Sequence, residues 1–457
     1  MRGASAGLVA ACLLLAACDA QPRLASSPTP PSIAPSASPP ISLEWSEYHR
    51  DAGRSGSGPS DPALNAPRVA WRIGVDADVY ASPLIVAGHV IVATENNTVY
   101  SLDVFTGATV WSRHLGDPVD ASTLPCGNIA PITGITGTPA ADVSGGHVYV
   151  AAFLRGYHHV LYSLSLVDGS LAWQQTIDPV GSNPSVQQLR GALAIGSGYV
   201  YVPFGGLFGD CGDYHGYVVG VPLAGGATVA FRVPSASGAS IWSPMGPSIA
   251  ADGSVYVVTG NATSSASTFG YSDSVLQMSP DLRTVRSYFA PSNWAQLNRA
   301  DADLGSVGAA LLPGSVVFSI GKEGIGYVLR AGALGGVGGQ VASGKVCGGA
   351  WGGTAWVEST VYVPCVDGLY AVTVGGSSLQ VRSHVGRPAL APPIVAAGAV
   401  WAIDSSDGSL YAFDPSLSRS VFTLGLGGAN RYSTPAATEG FVVAPAGHSV
   451  VAVSVAG

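Results

Sequence analysis

The sequence predicts an all-β protein, folded as an eight-bladed β-propeller of four-stranded antiparallel blades. Three observations lead to this prediction: a quartet of short strands that returns along the chain, a third-strand signature that occurs eight times, and chain ends that complement one another. The 61 glycines and 32 prolines supply the many turns that short strands need. The 457 residues therefore fit one repeat-built body better than several unrelated domains.

The first quartet lies between Trp71 and Trp111. Three strands are predicted at residues 82–86, 89–93 and 98–103, and a fourth ends at Trp111. The turns between these strands are marked by Gly88, Asn96, Asn97, Thr106 and Gly107. These residue types are typical of tight turns between antiparallel strands, so the quartet reads as one continuous sheet.

The third strand of the quartet carries the signature Tyr-x-Leu-Asp, which returns in exact or apolar variants. It occurs at residues 100–103, 162–165, 219–222, 276–279, 327–330, 370–373, 411–414 and 451–454. A second strand rich in Val, Ile and Tyr precedes each copy. One such unit cannot bury its apolar faces alone, so the eight units must stack on one another.

The two ends of the chain favour a closed ring over an open solenoid, which is the alternative architecture. The last repeat stops at its third strand, whereas a spare outer strand at residues 68–73 precedes the first complete repeat. We expect this strand to complete the last blade, because closure removes the unpaired sheet edges that an open stack would expose.

The N-terminus predicts export and a lipid anchor. Arg2 is followed by an apolar run at residues 8–15, which is too short to cross a bilayer. The string Leu15-Ala16-Ala17-Cys18 resembles a bacterial lipobox, whose cleavage leaves Cys18 as the lipidated, palmitate-bearing first residue. We therefore predict a signal peptide at residues 1–17, with a plain secretory signal as the alternative.

Residues 18–43 are rich in Pro and Ser and are predicted to form an extended tether. The remaining residues, 44–457, form the propeller. These segments place the protein on the extracytoplasmic side of a bacterial cell membrane, anchored to the membrane by lipid. The net charge of −8 gives no basic surface, so nucleic acid is excluded as a partner, and we expect a monomer.

Apart from Cys12 in the signal peptide and Cys18 at the predicted lipidation site, four cysteines remain: Cys126, Cys211, Cys347 and Cys365. An even number in an exported chain predicts disulfides, and four cysteines allow three pairings. Cys347 and Cys365 bracket the first two strands of the sixth blade, which suits a disulfide within that blade. No pair has CxxC spacing, so covalent haem and structural zinc are disfavoured.

The first quartet resembles a known repeat. The pattern Asp103-x-x-Thr106-Gly107-x-x-x-Trp111, after a Tyr-x-Leu-Asp strand, is similar to the pyrroloquinoline-quinone (PQQ) repeat. Trp173 and Phe231 hold the place of Trp111 in later repeats, and residues 45–56 resemble the lead-in to such propellers. The resemblance covers residues 44–457 and implies that the outer-strand Trp docks against the neighbouring blade. Proteins with this repeat include both quinoprotein dehydrogenases and non-catalytic scaffold lipoproteins.

The strand order places the unusual side chains on one face of the ring. This loop face is formed by the loops between second and third strands and by the connections between blades. The residues predicted there are Asp210, Asp213, Trp242, Asn261, Asp301, Asp303 and Lys322, together with the four cysteines. Such convergence predicts a shared pocket.

The resemblance implies roles for these residues in an enzyme that binds PQQ and Ca²⁺. Trp242 would be the floor beneath the quinone, and Asn261 with Asp210 or Asp213 would supply oxygen ligands to the metal. Asp301 or Asp303 would be the catalytic base, and Lys322 the cation at the quinone oxygen. Each residue also has a structural alternative, such as a core Trp, a turn Asn, a loop-capping Asp or a surface Lys322–Glu323 pair.

The chain departs from the dehydrogenases of this resemblance. It has no adjacent Cys-Cys pair, and Cys126 stands alone in the matching loop, where a bond to Cys211 would suit a rigid binding face. The favoured hypothesis is therefore a tethered binding or assembly module that takes a protein partner or small ligand at the loop face. The alternative is a PQQ- and calcium-dependent dehydrogenase of alcohols or sugars.

Overall fold

The computed structural model describes residues 44–262 and 268–456. The signal peptide at residues 1–17, the lipidated Cys18 and the tether at residues 18–43 lie outside the described residues, so these remain predictions. The described chain forms eight antiparallel sheets of at least four strands each, and together they make an eight-bladed β-propeller.

The first four blades run in chain order, each from its innermost to its outermost strand. The strands of blade 1 are Leu84–Val86, His89–Ala93, Thr98–Asp103 and Thr109–His114. The strands of blade 2 are Ala140–Asp142, His147–Leu154, His158–Ser165 and Leu171–Thr176. The strands of blade 3 are Ala194–Gly196, Tyr199–Gly206, Tyr217–Pro222 and Val229–Arg232. The strands of blade 4 are Ser248–Ile249, Val255–Val258, Val275–Met278 and Val285–Ala290.

The second half of the ring repeats this order. The strands of blade 5 are Ala310–Leu312, Val316–Ile320, Ile325–Arg330 and Ala342–Lys345. The strands of blade 6 are Ala355–Val357, Thr360–Cys365, Gly368–Val374 and Leu379–Val385. The strands of blade 7 are Ile394–Ala396, Ala399–Asp404, Ser409–Phe413 and Ser420–Gly425. The strands of blade 8 are Ala436–Thr438, Phe441–Pro445, Ser449–Ser454 and Arg68–Gly74.

A few short elements decorate the blades. Gln187–Gln188 pairs with the second strand of blade 3, and Gly336–Val337 pairs in parallel with the last strand of blade 4. Val119–Asp120 pairs with Ile132–Thr133 in the connection between blades 1 and 2. The helical segments are Ala121–Thr123, Pro184–Val186, Trp294–Ala300 and Leu304–Ser306, and no described helix has the length and apolarity needed to span a membrane.

All eight copies of the third-strand signature lie in the third strands of the eight blades, as predicted. Ring closure is confirmed as well. Arg68–Gly74 pairs antiparallel with Ser449–Ser454, from Arg68 opposite Ser454 to Gly74 opposite Ser449. The solenoid alternative is therefore excluded, because the two ends of the chain share one sheet.

Tryptophans on outer strands join consecutive blades through an indole hydrogen bond. Nε1 of Trp111 donates to the carbonyl of Leu166 in blade 2 at 3.1 Å, as the resemblance implied for this residue. The ring of Trp111 lies against Gly169, which has a φ of +68° and leaves no space for a Cβ. Trp71 and Trp173 donate in the same way to Val104 and Leu223. In these three interfaces, Gly107, Gly169 and Gly225 lie against the tryptophan ring of the preceding blade.

The N-terminal segment, residues 44–66, runs along the innermost strands and links seven of the eight blades. Its backbone or side chains make hydrogen bonds to Ile85, Ala141, Leu193, Ile249, Trp356, Val395 and Val455. Arg54 is fully buried in this segment and pairs with the buried Glu47 at 3.1 Å. The lead-in recognised in the sequence therefore acts as the hub of the ring.

Candidate functional site

The predicted convergence on the loop face is observed as a cavity of about 450 Å³. Its wall contains five of the residues predicted from the sequence: Asp210, Trp242, Asp301, Asp303 and Lys322. It also contains aromatic and cationic residues that the sequence reasoning missed: Arg190, Trp351, Arg431 and Tyr432. A cavity of this volume lies in the range typical of small-molecule sites.

Lys322 holds two carboxylates on one side of the cavity. Its Nζ lies 2.6 Å from Oδ2 of Asp303 and 3.0 Å from Oδ1 of Asp301. Nζ also donates to the backbone carbonyl of Asp301 at 3.1 Å. Lys322 follows the second strand of blade 5, and both aspartates lie in the connection that enters this blade. When all three groups are ionised, one excess negative charge remains in this cluster.

Asp303 is the buried member of the cluster. Oδ1 accepts the backbone N–H of Asn261 at 2.7 Å, and only 6% of the side chain is exposed. Burial raises the pKa of Asp303, and the ion pair with Lys322 opposes that rise only in part. Burial disfavours the charge of Lys322, but the pairs with Asp303 and Asp301 outweigh it and raise the pKa of this amine.

Asp273 is a second buried acid behind Asp303, and the sequence reasoning missed it. Oδ1 accepts the backbone N–H of Leu304 at 3.0 Å, whereas Oδ2 has no hydrogen-bond partner in the part of the chain that the structure describes. Burial, followed by the charge of Asp303, raises the pKa of Asp273 well above its usual range. In the sequence Asp273 stands between two serines and reads as an ordinary turn residue.

Aromatic and cationic side chains form another part of the cavity wall. The rings of Trp242 and Tyr432 lie 6.4 Å apart at 52°. Arg431 and Arg190 lie 5.0 and 6.0 Å from the centre of the Tyr432 ring. Arg190 donates to Oδ1 of Asn128 at 2.8 Å, and neither guanidinium forms an ion pair with a described carboxylate. Both arginines can therefore meet an anion.

Tyr432 has a strained backbone, with a φ of +70°. A large non-glycine residue rarely adopts this conformation, and such strain is concentrated at functional sites. Tyr432 and Arg431 lie in the connection between blades 7 and 8, and Arg190 in the connection between blades 2 and 3. These connections carry no repeat signature, so only the strained backbone, which a sequence does not display, marks the position.

Two disulfides stabilise the loop face. Cys126 pairs with Cys211 and Cys347 pairs with Cys365, which settles the connectivity among the three possibilities. The second bond lies within blade 6, as its spacing suggested. The first joins the connection between blades 1 and 2 to the loop of blade 3, and Gly209 of the cavity wall lies beside Cys126. The cavity rim is therefore covalently fixed.

Three residues predicted as metal ligands are not brought together. Asp210 lines the cavity, and its Oδ1 accepts a hydrogen bond from the hydroxyl group of Tyr214. Asp213 lines a separate pocket, where it is 81% exposed and lies 3.6 Å from Nε2 of His215. Asn261 contacts Asp303 through its backbone, while its side-chain amide donates to the carbonyl of Ala262 at 3.3 Å.

These residues do not form the oxygen-rich cage that Ca²⁺ prefers. The carboxylate that contacts Asn261, that of Asp303, is engaged by Lys322, a cation that already supplies positive charge there. Among residues 44–262 and 268–456, three side chains of metal-binding type converge only at Cys347, Cys365 and Asp367, where both sulfurs form the disulfide. The aromatic and cationic residues of the cavity wall are of the kind that bind a planar carboxylate-bearing ring, but the predicted calcium ligands do not form a calcium site.

Comparisons with known proteins agree with this architecture. Residues 63–267 match the family described as outer membrane protein assembly factor BamB, whereas no curated protein matches the sequence. The quinohemoprotein alcohol dehydrogenase from Comamonas testosteroni is similar in structure, with a TM-score of 0.73 and 15% identity, over 91% of this chain and 81% of that one.

Two further solved structures are similar. A europium-containing methanol dehydrogenase gives a TM-score of 0.68 at 15% identity, over 88% of this chain and 89% of that one. BamB from Moraxella catarrhalis gives a TM-score of 0.57 at 13% identity, over 85% of this chain and 98% of that one. At these identities the likeness concerns the fold, and enzymes share it with an assembly factor. The chain therefore folds as an eight-bladed β-propeller that is similar to propellers built from PQQ repeats.

Proposed function

We propose that this protein is a membrane-tethered, extracytoplasmic binding protein whose loop-face cavity takes a small, flat anion. The observation that carries the proposal is the pair of guanidiniums, Arg190 and Arg431, which flank Tyr432 without an acidic partner among the described residues. Guanidinium groups bind carboxylates through two parallel hydrogen bonds, and they also stack on aromatic rings.

The rest of the cavity supports a flat ligand. Trp242, Trp351 and Tyr432 offer three aromatic surfaces, and aromatic side chains bind planar rings by stacking or edge contacts. Asp301 and Asp303 are held by Lys322, so the arginine side remains the positive part of the wall. The fixed rim favours binding, because a preorganised cavity loses little conformational entropy when a ligand enters.

A direct test measures binding by isothermal titration calorimetry without added Ca²⁺. The probes are pyrroloquinoline quinone and naphthalene-2,6-dicarboxylate, a flat dianion with no redox chemistry. We expect both to bind, and we expect Arg190→Gln and Arg431→Gln each to weaken binding by roughly 10- to 100-fold, since each removes a charged hydrogen bond. Arg283→Gln, on an exposed loop of blade 4, is the matched control and should bind as the wild type does. Absence of binding by the folded wild type would contradict the proposal.

Tethering has its own test. The predicted lipid on Cys18 should place the protein in the membrane fraction of a bacterial host, and Cys18→Ser should release it to the soluble extracytoplasmic fraction. Mass spectrometry of the mature N-terminus would identify the acyl chains. A wild-type protein that begins after a different cleavage site and carries no lipid would leave the binding cavity unaffected but would contradict the anchor.

A quinone-dependent dehydrogenase is the second candidate, and one observation favours it. Asp303 and Lys322 form an ion pair on the cavity wall, with Nζ of Lys322 lying 5.9 Å from the ring centre of Trp242. A bound quinone would supply a two-electron acceptor; Trp242 would contact its face, and Asp303 could receive a substrate proton.

This alternative predicts dye reduction by the reconstituted protein, with quinone alone or with added Ca²⁺, on an alcohol or a sugar. Asp303→Asn should abolish the activity while leaving quinone binding measurable. If no dye is reduced across a broad panel of alcohols and sugars although the quinone binds, the enzyme hypothesis fails and the binding proposal stands.

A further inference from the structure

The buried acid Glu95 interacts with Tyr80 and Thr136, which line a small pocket together with Arg190, Arg431 and Tyr432. Glu95 follows the second strand of blade 1 and is 1% exposed. Oε2 accepts the backbone N–H of Gly134 at 2.6 Å. Oε1 has no hydrogen-bond partner within the described ranges, although it is shielded from solvent. A buried carboxyl oxygen without a donor is costly as an anion and is well suited to carry a proton.

The charged group of the cavity that stabilises ionised Glu95 is Arg190. Burial raises the pKa of Glu95 to about 7, while the N–H of Gly134, the hydroxyl of Thr136 and the charge of Arg190 oppose that rise. The other titratable groups facing Glu95 are Asp78, whose charge raises the pKa further, and Tyr80. Burial, and next the charge of Glu95, raises the pKa of Tyr80 to about 12, so this phenol stays neutral.

We propose that the cavity binds its anionic ligand together with one proton, which Glu95 receives. This inference rests on the proposed function. Arg190 affects both ligand binding and the ionisation of Glu95. When a ligand carboxylate pairs with Arg190, the charge of Arg190 no longer favours ionised Glu95, and the ligand adds a negative charge nearby. The Glu95 carboxylate then takes a proton from solvent to become a neutral acid, and no other bond forms or breaks.

Proton uptake gives the affinity a defined dependence on pH. Below about pH 7 Glu95 already carries the proton, so the ligand binds without further uptake. Above that pH the proton must be taken from solvent, and linkage of one proton weakens binding by at most tenfold per pH unit. We therefore expect the dissociation constant to rise by several-fold, and by no more than about tenfold per unit, between about pH 6.5 and about pH 8.5.

The decisive experiment is calorimetry of the wild-type protein with naphthalene-2,6-dicarboxylate at about pH 7.5, in phosphate and in Tris. These buffers differ strongly in their heats of protonation, so the difference between the two observed enthalpies gives the number of protons taken up. Both ligand carboxylates are ionised throughout this range, so the ligand contributes no proton. We expect uptake of a substantial fraction of one proton.

Variants locate the proton. Glu95→Gln keeps the acceptor for Gly134 and should bind with no proton uptake and with an affinity that is flat across this pH range. Glu358→Gln, an exposed residue in blade 6, is the matched control and should keep the wild-type uptake. If Glu95→Gln fails to fold, the wild-type proton count still decides, and the Asp78→Asn variant shifts the pH at which uptake occurs.

The outcomes separate the two proposals. Binding by the wild type with equal enthalpies in both buffers and no dependence on pH would overturn the proton coupling and leave the binding function intact. Proton uptake that persists undiminished in folded Glu95→Gln would likewise overturn the role of Glu95. Failure of the wild type to bind either probe at any pH would overturn the binding function itself.

Discussion

Arg54 shows how much a single buried side chain contributes to the centre of this ring. Its guanidinium pairs with Glu47 and donates to the backbone carbonyls of Tyr48, Leu193 and Pro247, which belong to the hub and to the approaches of blades 3 and 4. The sequence displays Arg54 only as one arginine in a polar lead-in. Its burial depends on residues almost 200 positions away, which no local pattern reveals.

We expect Arg54→Met to lower the free energy of unfolding by about 3–5 kcal/mol, because it leaves Glu47 and three carbonyls buried without their donor. Urea unfolding followed by fluorescence would measure the change. Arg283→Met is the control, since Arg283 forms only an exposed pair with Asp281 at 3.9 Å and should change stability by less than about 1 kcal/mol. Equal losses in both variants would contradict the role of Arg54.

Glu95 predicts a dependence of stability on pH. Its pKa rises from an ordinary value of 4.5 to about 7 on folding, so the folded state holds a proton that the unfolded state releases. The wild type therefore loses stability as the pH rises from about 4.5 to about 7, on the order of 3 kcal/mol from this group. Glu95→Gln lacks this loss.

The measurement compares the unfolding free energies of Glu95→Gln and the wild type at several pH values. The advantage of the variant over the wild type should grow between about pH 4.5 and about pH 7 and then stay constant. Glu358→Gln should show no such growth. A difference that stays constant over the whole range would mean that Glu95 ionises in the folded protein as it does in the unfolded chain.

Sequence reasoning identified Asp303 and Lys322 because the strand order places the connection into blade 5 and the end of its second strand on one face. It missed Arg190, Arg431 and Tyr432, which lie in connections of irregular length. It grouped Asp213 with the cavity, whereas the loop of blade 3 turns this side chain into a different pocket. The strand order therefore predicts which face a residue occupies, but the conformation of each loop decides which pocket it enters.

At the scale of the blade, the sequence predicts most of what the structure contains. Alternation and turn residues located all eight third strands, because each blade must present the same apolar faces to its neighbours. The contact between Trp71 and Gly107 shows what a single repeat cannot reveal. The motif looks like one unit in the sequence, yet its glycine and tryptophan act in different interfaces.

Gly169→Ala tests this interface. The new methyl group would lie 2.5 Å from the Trp111 ring, in a backbone conformation with a φ of +68°. We expect a loss of about 2–4 kcal/mol, from overpacking and from the left-handed backbone together. Gly146→Ala in the same blade is the matched control, since its φ is +75° but nothing lies within 4 Å of the added Cβ.

Thermal or urea unfolding of the two variants separates the two contributions. Gly146→Ala should lose only about 1–2 kcal/mol, which is the backbone cost alone. A similar loss in both variants would show that the Trp111 ring moves aside without a loss of stability. Close packing of the indole would then not require glycine at position 169.

At the scale of the whole molecule, the ring is held by the hub, the closing strand and two disulfides. The closing strand was predicted from the number of strands at the two ends of the chain, but the sequence left the disulfide pairing open. Cys126 and Cys211 are 85 residues apart and come together only because blades 1 and 3 both contribute to the loop face. The proximity of these two cysteines follows from the geometry of the ring and not from their spacing in the sequence.

The disulfides should differ in their contributions to stability. By loop entropy, Cys126–Cys211 should contribute about 4–5 kcal/mol, and Cys347–Cys365, with its separation of 18 residues, about 3 kcal/mol. Replacing each pair with Ser and measuring unfolding at equal protein concentration would check this order. Loss of the first pair should also weaken anion binding, whereas loss of the second should change binding less; the opposite ranking would contradict the rigid rim.

The closing strand also determines at which stage of synthesis the ring can close. Arg68–Gly74 is synthesised early, whereas its hydrogen-bonding partner, Ser449–Ser454, is synthesised much later. The early strand therefore stays unpaired until blade 8 has been made, and the ring cannot close before that point. A polypeptide that stops before blade 8 therefore keeps an unpaired strand edge, which is exposed to pairing with other chains.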